Sequence, residues 1–149
     1  MSTIDRADWH FGNNFPKNIP DENGGTHIGM FLNWIIDTGL IGEIHLKDSE
    51  KGIYKVRKRQ ITGRDFLFDY CDGKFWNEDL NILAIQFTED YYSSDKYFDD
   101  YADALAKSTE TIYHVDNNWD NYETIKKILD KRYHKWKVKR NKKSWQFWK

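Results

Sequence analysis

The chain has 149 residues, a formal net charge of −1, 17% aromatic residues and one cysteine, with a mean hydropathy of −0.88. A chain of this length is expected to fold as one domain that buries roughly 70% of its unfolded surface, and a single cysteine excludes an internal disulfide. The first residues carry acids and no apolar run, so we expect neither a secretory signal nor a lipid-modified leader, and a cytoplasmic location.

The charges are unevenly distributed along the chain. From Lys131 onward there are nine lysines or arginines and no acid, which leaves 14 bases against 24 acids in residues 1–130. Residues 78–103 are the most acidic stretch, with eight acids and one base. An acidic body predicts a basic protein partner, and it argues against nucleic acid as the ligand of that surface.

Residues 1–25 are predicted to form an irregular leader that lies over the core. Pro16 and Pro20 interrupt any helix, and Asn23-Gly24-Gly25 is typical of a turn. Scattered aromatic residues, among them Trp9, are expected to hold this leader against the domain.

Residues 26–39 predict the central helix of the domain. Apolar side chains cover most of its circumference, and only Gly29, Asn33 and Asp37 form a polar or small stripe. Thr26 is predicted as the N-cap, and Gly39 suits the left-handed position that follows a helix. A helix that is apolar nearly all round is buried, and fourteen residues are too few to span a bilayer.

The next segments predict shorter elements. Residues 40–46 fit either a helical turn or a strand, and residues 49–60 predict an exposed helix. Thr62 and Asp65 resemble a capping box that opens a helix through residue 70, which Asp72-Gly73 ends. A hairpin across Asp72-Gly73 is the alternative, because the aromatic residues on either side of it could pair as strands.

The second half of the chain is predicted to be mostly helical. Apolar residues at spacings of three and four indicate a helix from residue 79 to 91, with Tyr91 inward, and a second helix in which Tyr97 or Phe98 and Tyr101 face the core. The β-branched residues 109–115 predict a short strand. An apolar stripe from Trp119 to Trp136 predicts the last helix.

Together these elements predict a mainly α fold. We expect a compact single-domain helical bundle around the buried helix 26–39, with at most a small β-hairpin or short strand. Residues 1–136 form the predicted globular domain, and residues 137–149 form a basic aromatic tail.

The acidic stretch 88–103 is the most specific candidate surface. Carboxylates alternate there with tyrosines, which supply stiff contact area and a hydroxyl. Such a surface suits a basic protein and repels nucleic acid. The alternative is that the tyrosines belong to the core and the acids are the solvated side of two helices. The candidate contacts are Glu89, Asp90, Tyr91, Tyr92, Asp95, Tyr97, Asp99, Asp100, Tyr101 and Asp103.

A second candidate is a pocket between the leader and the central helix. If the leader folds over this helix, Trp9, His10 and His27 approach one another, with Asp8, Asp21 or Glu22 nearby. Two imidazoles and a carboxylate could hold a metal or move a proton. The alternative is that both histidines only make structural hydrogen bonds.

Other chemistry has little support in the sequence. No metalloprotease, zinc-ribbon, hydrolase or phosphate-loop motif is present. Cys71 lies among apolar and aromatic residues and is predicted to be a buried, inert thiol. We therefore predict no catalytic residue, no metal and no cofactor, and the sequence does not indicate an oligomeric state.

The tail mixes bases with tryptophan. This composition is typical of a weak anchor on an anionic membrane surface and of a grip on single-stranded nucleic acid. The aromatic residues at its end could instead fold back on the core, and a solubilising tail without a ligand is a further alternative.

The chain resembles a family of short uncharacterised bacterial proteins over nearly its whole length. The residues that carry the resemblance are Thr26-His-Ile-Gly-Met-Phe-Leu-Asn-Trp34, with Trp9-His10, Phe15-Pro16 and Ile19-Pro20 before it and Arg57 to Gly63, Asp90-Tyr-Tyr92, Asp100-Tyr101, Trp119 to Tyr122 and Arg132-Tyr133 after it. The resemblance implies no catalytic residues. Its relatives are expected beside polymorphic or contact-dependent toxins, which implies an immunity protein.

The leading hypothesis is therefore a cytoplasmic, non-enzymatic immunity protein that neutralises a cognate toxin domain through its acidic surface. The first alternative is a metal-binding or small-molecule-binding protein or enzyme that uses the His10 and His27 pocket. The second is an adaptor that binds membranes or nucleic acid through the tail.

Overall fold

The computed structural model describes residues 2–12 and 14–147, with side chains up to residue 142. In this part of the chain, helices dominate and one two-stranded sheet is present, which confirms the mainly α prediction. The strands are β1 (Thr3–Arg6) and β2 (Lys74–Trp76). The helices are α1 (Thr26–Asp37), α2 (Glu43–Asp48), α3 (Glu50–Arg57), α4 (Gly63–Cys71), α5 (Ile82–Tyr91), α6 (Lys96–Leu105) and α7 (Trp119–Phe147).

Helix α1 is the centre of the domain. Every residue from its start to Ile36 is buried, as expected for a helix that is apolar nearly all round. Gly39 has a φ of +72° just after the helix, which is the left-handed position predicted for it. Thr26 is the first helical residue and not the N-cap, which is Gly25. The Thr26 hydroxyl instead accepts a hydrogen bond from Arg64.

The small stripe of α1 packs directly against α4. A Cβ atom placed on Gly63 would lie 2.0 Å from the Gly29 carbonyl oxygen, and one on Gly29 would lie 2.4 Å from the Cα of Arg64. The Asn33 side-chain oxygen accepts a hydrogen bond of 3.0 Å from the Gly63 backbone N–H. Glycine is therefore required on both helices for this close approach.

Helices α2 and α3 connect α1 to α4. The chain after α1 forms an isolated bridge at Ile41 and then the short helix α2, so the helical alternative for residues 40–46 is the supported one, from Glu43 onward. Helix α3 is shorter than the predicted 49–60, and it buries Ile53 and Val56 against the core. The predicted capping box of α4 is confirmed, because the side chains and backbone N–H groups of Thr62 and Asp65 bond reciprocally.

The sheet pairs the first strand with β2, which lies about seventy residues later in the chain. Thr3 aligns with Trp76 and Arg6 with Lys74, in antiparallel register. The alternative hairpin across Asp72-Gly73 is therefore wrong: residues 66–70 belong to α4, and β2 pairs with the N-terminus. The leader is also not irregular throughout, because it contains β1 and two 3₁₀ helices, Ala7–His10 and Asp21–Gly25.

The second half of the chain covers the remaining sides of α1. The three predicted helices are present, although α5 begins at Ile82 and α7 continues beyond the predicted end at Trp136. The predicted strand at 109–115 is wrong, since this segment contains a 3₁₀ helix, Ile112–His114, whose first turn is capped by the Thr111 hydroxyl. Local capping by a threonine side chain competes with β-branched strand preference.

Helix α7 runs along the body and continues without a break past residue 136. Its residues Ile125 and Leu129 are buried, and its Asp130 accepts a hydrogen bond of 2.9 Å from the Trp34 indole. Among the described helices, none combines the length and apolar character needed to cross a membrane.

Substitution of Gly63 tests the contact between α1 and α4. Gly63→Ala should lower the free energy of unfolding by about 2–3 kcal/mol, because the added methyl group overlaps the Gly29 carbonyl and the helices must separate. Gly12→Ala is the matched control, since a Cβ there meets no atom within 4 Å. Urea unfolding of both variants measures the difference, and equal stability would contradict the close contact.

Candidate functional site

The structure brings His10 and His27 together. His10 ends the 3₁₀ helix that follows β1, and His27 lies in the first turn of α1. Their ring centroids are 4.6 Å apart in an edge-to-face arrangement. The carboxylate between them belongs to Asp5, which is buried in β1.

Asp5 accepts four hydrogen bonds. His10 Nε2 and the Arg6 backbone N–H donate to one oxygen, at 2.9 and 2.8 Å. His27 Nε2 and the Tyr92 hydroxyl donate to the other oxygen, at 3.3 and 2.6 Å. A carboxylate has about four lone-pair sites, so the group is saturated.

These contacts determine the charge of the cluster. Burial alone would raise the pKa of Asp5, but the hydrogen bonds from His10, His27 and Tyr92 outweigh it and hold the pKa well below its usual range. Burial lowers the pKa of His27, and the bond to Asp5 opposes that effect without cancelling it. The resting cluster is therefore an ionised carboxylate held by a neutral His27.

The surroundings favour a structural role for this cluster. The second ring nitrogen of His10 is also occupied, at 2.7 Å from the Tyr113 hydroxyl. Metal or proton chemistry would have to displace these internal bonds. The arrangement ties β1, α1 and the segment after α5 together, and it is best explained as a tether.

The other residues predicted for this pocket lie elsewhere. Trp9 is 58% exposed and does not pin the leader to the core. Asp8 pairs with Arg6, Glu22 pairs with Arg64, and Asp21 is exposed. The acid that does meet the histidines, Asp5, was missed because Thr3-Ile4-Asp5-Arg6 is too short to show a pattern.

The acidic stretch divides into an inner and an outer part. Its four tyrosines are at most 4% exposed: Tyr91, Tyr92, Tyr97 and Tyr101. The Tyr97 hydroxyl donates to the His27 carbonyl oxygen, at 2.5 Å, and burial raises the pKa of this phenol well above its usual value. These side chains form core, so they cannot supply contact area to a partner.

Two of the acids are already bound to α7. Asp100 receives two hydrogen bonds of 2.8 Å from the Arg132 guanidinium and one from the Tyr91 hydroxyl. Burial opposes ionisation of Asp100, but these bonds outweigh it and lower its pKa. Asp90 accepts a hydrogen bond of 2.8 Å from the Trp136 indole. Both acids therefore hold α7 against the body of the domain.

The remaining acids are free surface groups. Asp95, Asp99 and Asp103 are exposed, as is Glu89 on α5. Within the described residues none of the four side chains makes a hydrogen bond or salt bridge. Only these four carboxylates therefore remain as candidate contacts for a partner.

A groove of about 730 Å³ separates α5 from the projecting part of α7. Its walls carry Glu89 and Asp90 on one side and Lys135, Lys139 and Arg140 on the other. Lys96 and Arg132 also line the groove, so five bases and two acids face it and its lining carries a net positive charge.

The predicted tail begins inside α7. Trp136 stacks on Tyr133, contacts Phe87 and binds Asp90, so it belongs to the folded body and not to a membrane anchor. The side chains of residues 143–149, which include the last aromatic residues of the predicted tail, lie outside the described part.

Comparison with known proteins relates the chain to a domain family. A family model described as a domain of unknown function (DUF7832) matches residues 3–115. No curated protein and no solved structure matches the chain. The matched range contains the Asp5 cluster and the free acids of α5 and α6, and it ends before α7.

Removal of the Asp5 charge tests the tether. Asp5→Asn should lower the free energy of unfolding by about 2–4 kcal/mol, because an amide cannot accept the four bonds that the buried carboxylate receives. Asp8→Asn is the control, since its carboxylate lies at the surface against Arg6, and it should unfold like the wild type. A stable Asp5→Asn variant would show that the cluster is not a tether.

His27 should make stability depend on pH. Its pKa is lowered in the fold, so between pH 7 and 5 the unfolded chain binds a proton that the native state does not. Stability should therefore fall as the pH falls, by up to about 1.4 kcal/mol per pH unit from this group. The dependence of the free energy of unfolding on pH should be weaker in His27→Gln. It should be unchanged in His134→Gln, which replaces an exposed histidine. Unfolding curves at several pH values measure both, and equal slopes in wild type and His27→Gln would contradict the assignment.

Proposed function

The chain belongs to the DUF7832 family, a domain of unknown function, and we propose that it is an immunity protein that binds and neutralises a cognate bacterial toxin domain. The observation that carries this proposal is the row of free carboxylates on α6. The proposal treats this row as the contact surface for a basic protein.

The faces of α6 contact different parts of the structure. Tyr97 and Tyr101, four residues apart, enter the core. Lys96 lines the groove beside α7, and Asp100, four residues later, binds Arg132.

The next face carries the free acids. Asp95 is the N-cap residue, with a left-handed φ of +69°, and Asp99 and Asp103 follow it at intervals of four in the sequence. Asp99 and Asp103 lie on the same face of α6, about 5.4 Å apart along the helix axis. The result is a single negative stripe exposed to solvent.

This stripe has a local cost. Like charges four residues apart repel each other on a helix. Asp103 lies in the last turn of α6, and Glu89 lies in the last turn of α5, where the negative end of the helix dipole disfavours an acid. Asp99 lies in the first turn, where the dipole favours an acid, so the cost falls on Asp103 and Glu89. Acids that oppose local stability and have no partner in the described residues support selection for an external one.

The stripe also has a rigid support. The helix is held from below by the Tyr97 hydroxyl on the α1 backbone and from the side by the pair Asp100 and Arg132. A charged surface on a fixed helix loses little conformational freedom on binding. Clustered carboxylates also steer a basic partner and raise its association rate.

The partner and the location are part of the proposal. The surface supports a basic protein of any class, and the choice of a toxin follows from the sequence resemblance. An immunity protein would act in the cytoplasm of the cell that makes the toxin. In this role the chain needs no catalytic residue.

Charge reversal on the stripe tests the proposed function. With the toxin domain encoded beside this gene, Asp99→Lys with Asp103→Lys should slow association by about 10-fold or more at low salt and weaken protection of co-expressing cells. The effect should diminish at high ionic strength, where exposed charges are screened. Stopped-flow association rates and cell survival are the readouts.

The matched control places the same charge change elsewhere. Asp48→Lys with Asp69→Lys alters two exposed acids on α2 and α4, and it should protect like the wild type. If the α6 variant binds and protects normally, or if the wild-type chain does not bind the toxin domain, the proposed function is wrong.

A further inference from the structure

A second cluster of chemically active side chains lies on the side of the domain formed by α2 and α4. It consists of His45 from α2, Cys71 at the end of α4 and Asp79 at the end of the 3₁₀ helix Asn77–Asp79. One nitrogen, one sulfur and one oxygen from these residues lie within 4.8 Å of one another. None of the three residues contributes to the tether or to the acidic stripe.

We propose that His45, Cys71 and Asp79 form a binding site for Zn²⁺. Thiolate and imidazole are the ligands that zinc prefers, and a carboxylate completes many of its sites. Magnesium and calcium prefer oxygen ligands alone, so the sulfur and nitrogen argue against them.

The distances approach those of a tetrahedral site. Ligands at ordinary zinc bond lengths lie about 3.4–3.6 Å from one another. The Cys71 sulfur is 3.7 Å from His45 Nε2, which already fits. His45 Nε2 and Asp79 Oδ1 are 2.6 Å apart, so they must separate by about 0.8 Å to admit the ion.

The outer contacts orient these ligands. His45 Nδ1 lies 2.8 Å from the Ser49 hydroxyl, which leaves Nε2 turned toward Asp79. The other oxygen of Asp79 accepts a bond of 2.7 Å from the Trp76 backbone N–H. Zinc ligands are commonly held in this way, with the atom that does not bind metal fixed by a neighbour.

This cluster differs from the Asp5 cluster because its carboxylate still has unused hydrogen-bond acceptor sites. Asp5 accepts four hydrogen bonds, whereas Asp79 accepts one on each oxygen in the described part of the chain. His45 and Asp79 are buried, while Cys71 is only half-buried. Cys71 is the most exposed of the three ligands, so we expect an ion to enter from its side, and three protein ligands leave a fourth coordination position open.

Binding follows a simple proton balance. The Cys71 thiol loses its proton to solvent, and the resulting thiolate binds the ion. The imidazole proton of His45 moves from Nε2 to Nδ1. The Nδ1–H group then donates a hydrogen bond to the Ser49 oxygen, and Nε2 donates its lone pair to zinc. Asp79 binds through the oxygen that His45 has released.

Titration of the metal-free full-length protein tests the site. Co²⁺ serves as a coloured substitute for Zn²⁺, and one equivalent should give a thiolate-to-cobalt absorption band that Zn²⁺ then removes. Zn²⁺ should also raise the melting temperature, since it binds the folded chain. Absence of the band together with an unchanged melting temperature would overturn the proposal.

Variants assign the binding to these residues. Cys71→Ser should abolish the thiolate band and weaken Zn²⁺ binding by more than about 100-fold, because loss of an outer contact alone costs about 10–100-fold. Ser49→Ala should keep the band and weaken binding by about 10-fold. Circular dichroism of each metal-free variant checks that it folds.

His10→Gln is the control from the Asp5 cluster, and it should bind Zn²⁺ like the wild type. If the ion binds Cys71→Ser normally, or is lost only in His10→Gln, the site at His45, Cys71 and Asp79 is not the zinc site.

Discussion

The contact between α1 and α4 is the constraint on which the rest of the fold depends. Gly29 and Gly63 let the two backbones meet with no side chain between them, and Asn33 closes the gap with a hydrogen bond. With α4 on its small side, α1 has no face left for solvent. The other elements must therefore cover its apolar circumference, which explains why aromatic side chains from α5 and α6 point inward and why their acids remain outside.

Two carboxylates, buried Asp5 and half-buried Asp37, join the outer elements to this centre. Asp5 ties the first strand to α1 through His27, and Asp37 at the end of α1 accepts hydrogen bonds from Tyr122 of α7 and from Arg59. Without partners such groups would destabilise the fold, but with several donors each they specify one arrangement. Residues far apart in the sequence are thus held at fixed positions around α1.

Local patterns in the sequence predicted much of this fold, but they did not predict the pairings between distant segments. The circumference of α1, Gly39 and the capping box of Thr62 lie within single segments, so their patterns are visible in the sequence. The pairing of β1 with β2 joins strands of four and three residues across most of the domain. The residues of the candidate sites show the same difference between local patterns and distant pairings. Helical period predicted Tyr101 and either Tyr97 or Phe98 inward, but Asp5 and its histidines, and the residues of the proposed zinc site, meet only in the folded chain, from elements that share no motif.

The proposed function rests on what the core leaves outside, namely the carboxylates of α6. Hydrogen exchange of the chain, free and bound to the toxin domain encoded beside it, tests this most directly. We expect slower exchange on binding in residues 94–105, the segment that carries Asp95, Asp99 and Asp103, with little change near His10 and in α7. Protection confined to the segment around His10, or to α7, would contradict the assignment of α6 as the contact surface.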